Sequence, residues 1–153
     1  MKTVGLGILG VAHAHAGMYC ARWRAQLELG VRVTSVWDRD ANRAGAFCGD
    51  NGPKAESSVQ ALLARQDIDA VIIASETSMH PELVEQAAAA GKAIVLQKPM
   101  ALTLAQADRI VEAVKRSNVP FTLAWQMRCD PHNMQIKSLL AGGQFGRVFM
   151  LRR

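Results

Sequence analysis

Thr3-Val4-Gly5-Leu6-Gly7-Ile8-Leu9-Gly10-Val11-Ala12-His13-Ala14-His15 opens with a short, nearly continuous apolar run. Gly10 and two histidines separated by one alanine follow directly. An unbroken run of that length, with no alternation of polar residues, is the pattern of a strand covered on both faces. Gly10 then stands where the chain must turn out of the strand. Lys2, the run Val4 to Ala12 and the small residues Ala12-His13-Ala14 imitate a secretory signal. Three glycines interrupt it, and a strand followed by a loop accounts for the same residues.

Working outward, four further runs share the character of the first: Val31 to Trp37, Ala70 to Ala74, Ala93 to Leu96 and Phe121 to Trp125. Helical patterns lie between them. His15 to Leu29 closes at Gly30, Ala41 to Asp50 follows Asp40 as N-cap, and Ser57 or Ser58 caps Val59 to Arg65. Pro81 suits the first turn of Glu82 to Ala90, and Thr103 caps Leu104 to Ser117. Strands and helices alternating at this spacing predict an α/β fold with a doubly wound parallel sheet of Rossmann type over residues 1–125. The last segment breaks the rhythm. A helix from Pro131 to about Leu140 and a strand over Arg147 to Arg152 make residues 126–153 the expected start of a second α/β domain.

Composition excludes several classes of function. With 153 residues, 50% of them hydrophobic, the chain is sized for one compact domain and its core. No apolar stretch reaches the roughly 18 residues of a membrane span, so no membrane partner is expected. Cys20, Cys48 and Cys129 are odd in number and without a CxxC pair. Neither a disulfide framework nor a zinc ribbon is indicated, and a reducing cytoplasm is the expected compartment. The net charge of +5 is scattered and no nucleic-acid motif accompanies it. An anionic small-molecule cofactor fits better than nucleic acid.

Several residues carry the candidate chemistry. A Rossmann sheet places a glycine-rich turn after its first strand, because the backbone must approach a pyrophosphate resting on the next helix N-terminus. Here the GxGxxG pattern becomes Gly10-Val11-Ala12-His13-Ala14-His15, with alanine in the second slot and histidine in the third. His13 and His15 are too few for a metal site, and none is expected. An imidazole there can donate to a phosphate or cap the turn, and the helix dipole disfavours its cationic form. Asp38 ends the second strand, where a carboxylate accepts from ribose hydroxyls and favours NAD over NADP. Arg39 beside it could instead attract a 2′-phosphate or stack on adenine. Lys98 lies between Gln97 and Pro99, and proline holds it in extended backbone at the mouth of the fourth strand. Open α/β sheets bind ligands at that end, and a partly desolvated lysine there can exchange a proton with a substrate hydroxyl. Taken alone, Lys98 also reads as a solvated strand-end lysine, and Asp38 as a turn aspartate.

Three segments together resemble the Gfo/Idh/MocA family of nicotinamide-dependent oxidoreductases. They are Val36-Trp37-Asp38-Arg39-Asp40 with Ala44 and Phe47 behind; Asp69 to Ser75 running on to His80; and Gln97-Lys98-Pro99-Met100-Ala101-Leu102-Thr103. Phe121 to Arg128 adds a fourth. The resemblance implies that Gly10, Ala12, His13, His15, Asp38 and Arg39 line the dinucleotide. Ser75 and His80 would flank its nicotinamide half, joined by Gln97, Trp125 and Arg128, with Lys98 as the catalytic lysine. It further implies a sugar or cyclitol substrate and a homo-oligomer formed through a later domain. Where the family usually has glutamate before the lysine, this chain has Gln97, which removes an ion-pair partner. The family's later aspartate and histidine have no counterpart before Arg153, so turnover by this chain alone is not expected. A dinucleotide-binding sensor or scaffold is the alternative.

Overall fold

A computed structural model of the chain describes residues 3–150 and 152, and only the backbone of Asp50 and Asn51. Six parallel strands form one sheet: β1 (Val4–Leu9), β2 (Val31–Trp37), β3 (Lys54–Ala55), β4 (Ala70–Ile73), β5 (Ala93–Gln97) and β6 (Phe121–Ala124), in the order β3-β2-β1-β4-β5-β6. The chain winds outward from β1 in one direction and then in the other, which is the doubly wound topology the alternating pattern predicts. Register decides what the sheet displays. Leu9 pairs with Trp37 on one side and Ile73 on the other, Ile73 with Leu96, and Gln97 with Ala124. The next residues therefore emerge together along one edge: Gly10, Asp38, Ala74, Lys98 and Trp125.

Helices α1 (His15–Ala25) and α2 (Ala41–Asn51) cover one face; α3 (Val59–Leu63), α4 (His80–Ala89) and α5 (Leu104–Ser117) cover the other. Side-chain alternation feeds both cores. Leu6, Ile8, Val36 and Ile72 pack with Ala16 and Cys20, while Leu9, Val71, Ile73 and Leu96 pack with Leu83, Val84 and Ile110. Truncating any of these leucines or isoleucines to alanine would cost about 2–5 kcal/mol. Gly5 is required by proximity, since a Cβ there would collide with the Asp67 backbone carbonyl, while one at Gly7 would press within 2.6 Å of Leu62 Cδ2 and force that buried side chain to shift.

Caps fix where the helices begin. The Asp40 carboxylate accepts from the Asn42 and Arg43 amides, the Ser58 hydroxyl from Ala61, and Thr103 from Gln106. In return Gln106 Oε1 accepts from the Leu102 amide at 3.0 Å, which closes the turn from both sides.

Three expectations are corrected. The first helix stops at Ala25, because Gln26 leaves helical geometry (φ −127°, ψ 71°) and a 3₁₀ turn over Leu27–Leu29 carries the chain to Gly30 in the left-handed region. Lys54–Ala55 forms an edge strand that the apolar pattern does not announce. Finally, Arg147 to Met150 and Arg152 adopt no strand, since no neighbouring strand supplies hydrogen bonds; the rest of the stretch expected to be a strand lies outside the described residues. A sixth helix, α6 (Pro131–Ala141), forms where expected, capped by Asp130.

Candidate functional site

The turn after β1 is fastened on three sides. The Gly10 amide donates to the Trp37 carbonyl at 2.7 Å, the Val11 amide to Asp38 Oδ2 at 2.7 Å, and the His13 amide to the Ala74 carbonyl at 3.1 Å. Gly10 is obligatory twice over. Its φ is +85°, and a Cβ would drive into the Ser75 backbone, with the Ser75 nitrogen only 2.6 Å away. At the head of α1, Ala14 offers no capping side chain and the first turn has no acidic residue. That helix end is left receptive to an anion.

The two histidines sit on this turn with ring centroids 4.6 Å apart. His13 Nδ1 accepts from the His15 amide at 3.3 Å, so the ring caps the helix, one of the roles the sequence allows. Burial, and after it the nearby His15, Lys98 and His80, hold the His13 imidazole below its usual range. Among the described residues, no group of three or more His, Cys, Asp or Glu is placed to hold a metal.

Asp38 is more engaged than a ribose acceptor needs to be. Oδ2 accepts from Val11, while Oδ1 accepts from the Asp40 amide at 2.8 Å and from Arg43 Nη2 at 2.7 Å. Its side chain is 1% exposed. Burial alone would push this carboxyl up; the Arg43 bond and the two amides outweigh it and hold the group below the usual carboxylate range. Oδ2 has the Val11 amide as its one hydrogen-bond partner among the described residues, against two for Oδ1. The same Arg43 nitrogen reaches Glu76 Oε1 at 2.9 Å, across to the loop after β4. Sequence reasoning passed over Arg43. The available signal was the Asp40 cap, which makes Arg43 the third residue of α2, immediately before buried Ala44. Arg39, the arginine singled out, is exposed beside Asp38.

On the other half of the edge, Gln97 is 1% exposed and its side-chain amide is engaged at both ends. Its Nε2 donates to His15 Nδ1 and to the Tyr19 hydroxyl, both at 3.1 Å, and its Oε1 accepts from the Lys98 amide at 3.0 Å. In place of an ion pair with Lys98, Gln97 ties the end of β5 to the first turns of α1. Tyr19, which stacks on Trp23, is the other residue the sequence did not reveal. Lys98, His15, Trp125, Gln126 and Met127 line an open cleft of about 400 Å³. Ser75 packs beneath Gly10. His80 is buried, with Nδ1 3.1 Å from the Met100 carbonyl oxygen and Nε2 3.3 Å from that of Ser75. It braces the loop after β4 against the loop after Lys98 from below. Ala12 is exposed on the turn, and Arg128 lies exposed on the 3₁₀ turn Gln126–Arg128 beyond the cleft.

These features fit a dinucleotide. A glycine turn that admits close approach, a helix N-terminus with no acidic residue in its first turn and a buried carboxylate at the end of β2 follow one another along the edge, with the lysine cleft at its far end. Comparison with known proteins agrees. The profile of the oxidoreductase family described as an NAD-binding Rossmann fold matches residues 3–124. Inositol 2-dehydrogenase 2 of Saccharopolyspora erythraea is 32% identical over 97% of this chain and 42% of its own length. D-apiose dehydrogenase of Paraburkholderia graminis is 33% identical over 95% and 37%. The crystal structure of an NAD-binding protein from Listeria innocua superposes with a TM-score of 0.81 at 29% identity, covering 97% of this chain and 43% of that one. This chain thus spans less than half the length of these relatives. By the family match over most of its residues, it belongs to the Gfo/Idh/MocA oxidoreductases and supplies their NAD-binding Rossmann domain.

Proposed function

We propose that the chain is the nucleotide-binding part of an NAD(P)-dependent dehydrogenase acting on a hydroxyl of a sugar, cyclitol or related substrate. The observation that carries this reading is the row along the sheet edge: the Gly10 turn and Asp38 at one end, Lys98 in its cleft at the other. Relatives named as inositol and D-apiose dehydrogenases support the substrate class. NAD, when bound, supplies the hydride acceptor.

The chain's own residues do the rest. The turn from Gly10 to His15 holds the diphosphate at the head of α1, and Asp38 Oδ2 takes a ribose hydroxyl. Ser75 and His80 shape the floor under the nicotinamide half, with Trp125 and Arg128 approaching from beyond β6. Lys98 Nζ accepts the proton of the reacting hydroxyl, its backbone held in place by Gln97. Residues 126–153 we assign to the connection with a second α/β domain, because α6 exposes Ile136 and Leu140 on one side and Met134 on another, apolar surface such a domain would cover. That domain would also carry the homo-oligomer contact. The three free cysteines favour a reducing, cytoplasmic setting.

Calorimetric titration with NAD and NADP tests the binding half; no heat and no thermal shift with either nucleotide refutes it. Lys98→Met in the whole protein tests the chemical half. The chemical step should fall by roughly 10²- to 10⁴-fold with cofactor affinity nearly intact. Unchanged turnover would return Lys98 to a solvated strand-end lysine.

A further inference from the structure

Gln97 leaves the ring of His15 one protonation pattern. Its Oε1 accepts from the Lys98 backbone amide at 3.0 Å, and a backbone N–H can only donate, so the side-chain amide cannot turn over without setting donor against donor. The two hydrogens of Nε2 are thereby aimed at the Tyr19 hydroxyl and at His15 Nδ1, each at 3.1 Å. His15 Nδ1 must accept, so the ring proton sits on Nε2. That N–H finds no partner among the described residues and is not sealed from solvent. His15 lines the open cleft with Lys98, Trp125, Gln126 and Met127, so a fixed donor stands ready for what enters there. His13 uses its own ring to cap the turn.

We propose that His15 Nε2–H is the donor that orients the carboxamide of the nicotinamide ring, and that Gln97 is the positioning residue that holds His15 in its donating form. The inference rests on the dinucleotide-binding reading above. A nicotinamide ring carries one hydrogen-bonding group, a carboxamide whose oxygen accepts and whose nitrogen donates. Trp125 and Met127 are exposed and offer a planar ring an apolar wall. A carboxamide can turn about the bond to its ring, so an imidazole free to move its proton would accept either end of it. With the proton held on Nε2, only the oxygen fits. The carboxamide is then held one way round by Gln97, a buried residue that does not itself line the cleft.

Nitrogen-15 NMR of the histidine rings, read through their non-exchanging protons, tests the tautomer directly. In the wild-type chain His15 should show a bare Nδ1 and a protonated Nε2; the opposite pattern overturns the inference. Gln97→Glu keeps an acceptor for the Lys98 amide but turns a second acceptor toward His15, so Nδ1 should become protonated. A pattern unchanged by that substitution overturns the role of Gln97. Added NAD should displace the His15 ring resonances, whereas ADP-ribose, which lacks the nicotinamide, should leave them in place. In calorimetric titration His15→Phe should weaken NAD by roughly threefold to tenfold and leave ADP-ribose within about twofold. Equal losses for both ligands would put His15 at the diphosphate, and no loss for either would make the ring purely architectural; each result overturns the proposal. If His15→Phe gives no cooperative melt, the wild-type resonances with NAD and with ADP-ribose decide. Wild-type chain that binds neither ligand refutes the underlying reading itself, and this inference with it.

Discussion

Asp38→Asn should loosen the turn after β1 while barely changing its shape. The substitution replaces one carboxylate oxygen by an NH₂ group, and every neighbour of Asp38 identified here is a donor. The amide oxygen will keep the Oδ1 position, where the Asp40 amide and Arg43 converge, which turns the NH₂ toward the Val11 amide. That bond to a charged acceptor, worth about 1.5–3 kcal/mol, is lost. The two bonds that remain become neutral at the acceptor and weaken by roughly 1 kcal/mol each. The sum is about 3–5 kcal/mol, which lowers Tm by roughly 6–20 °C for a chain of this size. pH supplies the internal control. Because the folded-state pKa of Asp38 is depressed, its stabilisation is fully present above the unfolded value near 3.9 and is lost as pH falls through the lower folded value. Scanning calorimetry near pH 7 should show the full gap between wild type and variant, narrowing as the pH drops below about 4. A variant that melts with the wild type near neutrality, or a gap unchanged in acid, would refute the assignment of Asp38 as the fastening of the turn.

Gly10→Ala should destabilise the fold by about 2–4 kcal/mol, from the left-handed backbone and the contact with Ser75, and should weaken NAD markedly in calorimetry; a variant that binds as tightly as wild type would contradict the close-approach argument. In a proton NMR titration the His13 ring should show a midpoint below about 6.5, since burial and neighbouring cations favour its neutral form. His13 costs stability as pH falls from the unfolded value near 6.5 toward its lower folded value, so His13→Asn should flatten the pH dependence of Tm below about 6.5. Gln97→Met should cost about 2–4 kcal/mol by leaving the Lys98 amide and the Tyr19 hydroxyl without their partner, read as a shifted urea midpoint at unchanged slope.

Much of the fold was legible because buried parallel strands advertise themselves. Five of the six strands are apolar runs, and glycine, proline, serine, threonine and aspartate mark most helix ends within a residue or two. The strand that escaped notice, β3, is two exposed residues long and joins the sheet through its backbone, which leaves no side-chain trace. The missing strand at Arg147 to Met150 shows the reverse: a β-prone composition does not make a strand where no neighbour can bond to it. In the site, residues defined by a place in the topology were readable, such as Gly10 after β1, Asp38 after β2 and Lys98 after β5. Residues defined by a partner distant in sequence were not. Arg43 to Glu76 spans 33 positions and Gln97 to Tyr19 spans 78, and one sequence carries no record of such pairs.

The brevity of β3 also bears on how the molecule behaves in a crowd of its own kind. An open sheet ends in two rows of unpaired amides and carbonyls, and a long flat edge invites a second copy to extend it into aggregates. On the β2 side this chain offers only Lys54 and Ala55, preceded directly by Pro53, which has no amide to donate, and bearing one lysine exposed to water. A strand too short to template another, and charged where it meets solvent, blunts this edge of the sheet against pairing with a second copy.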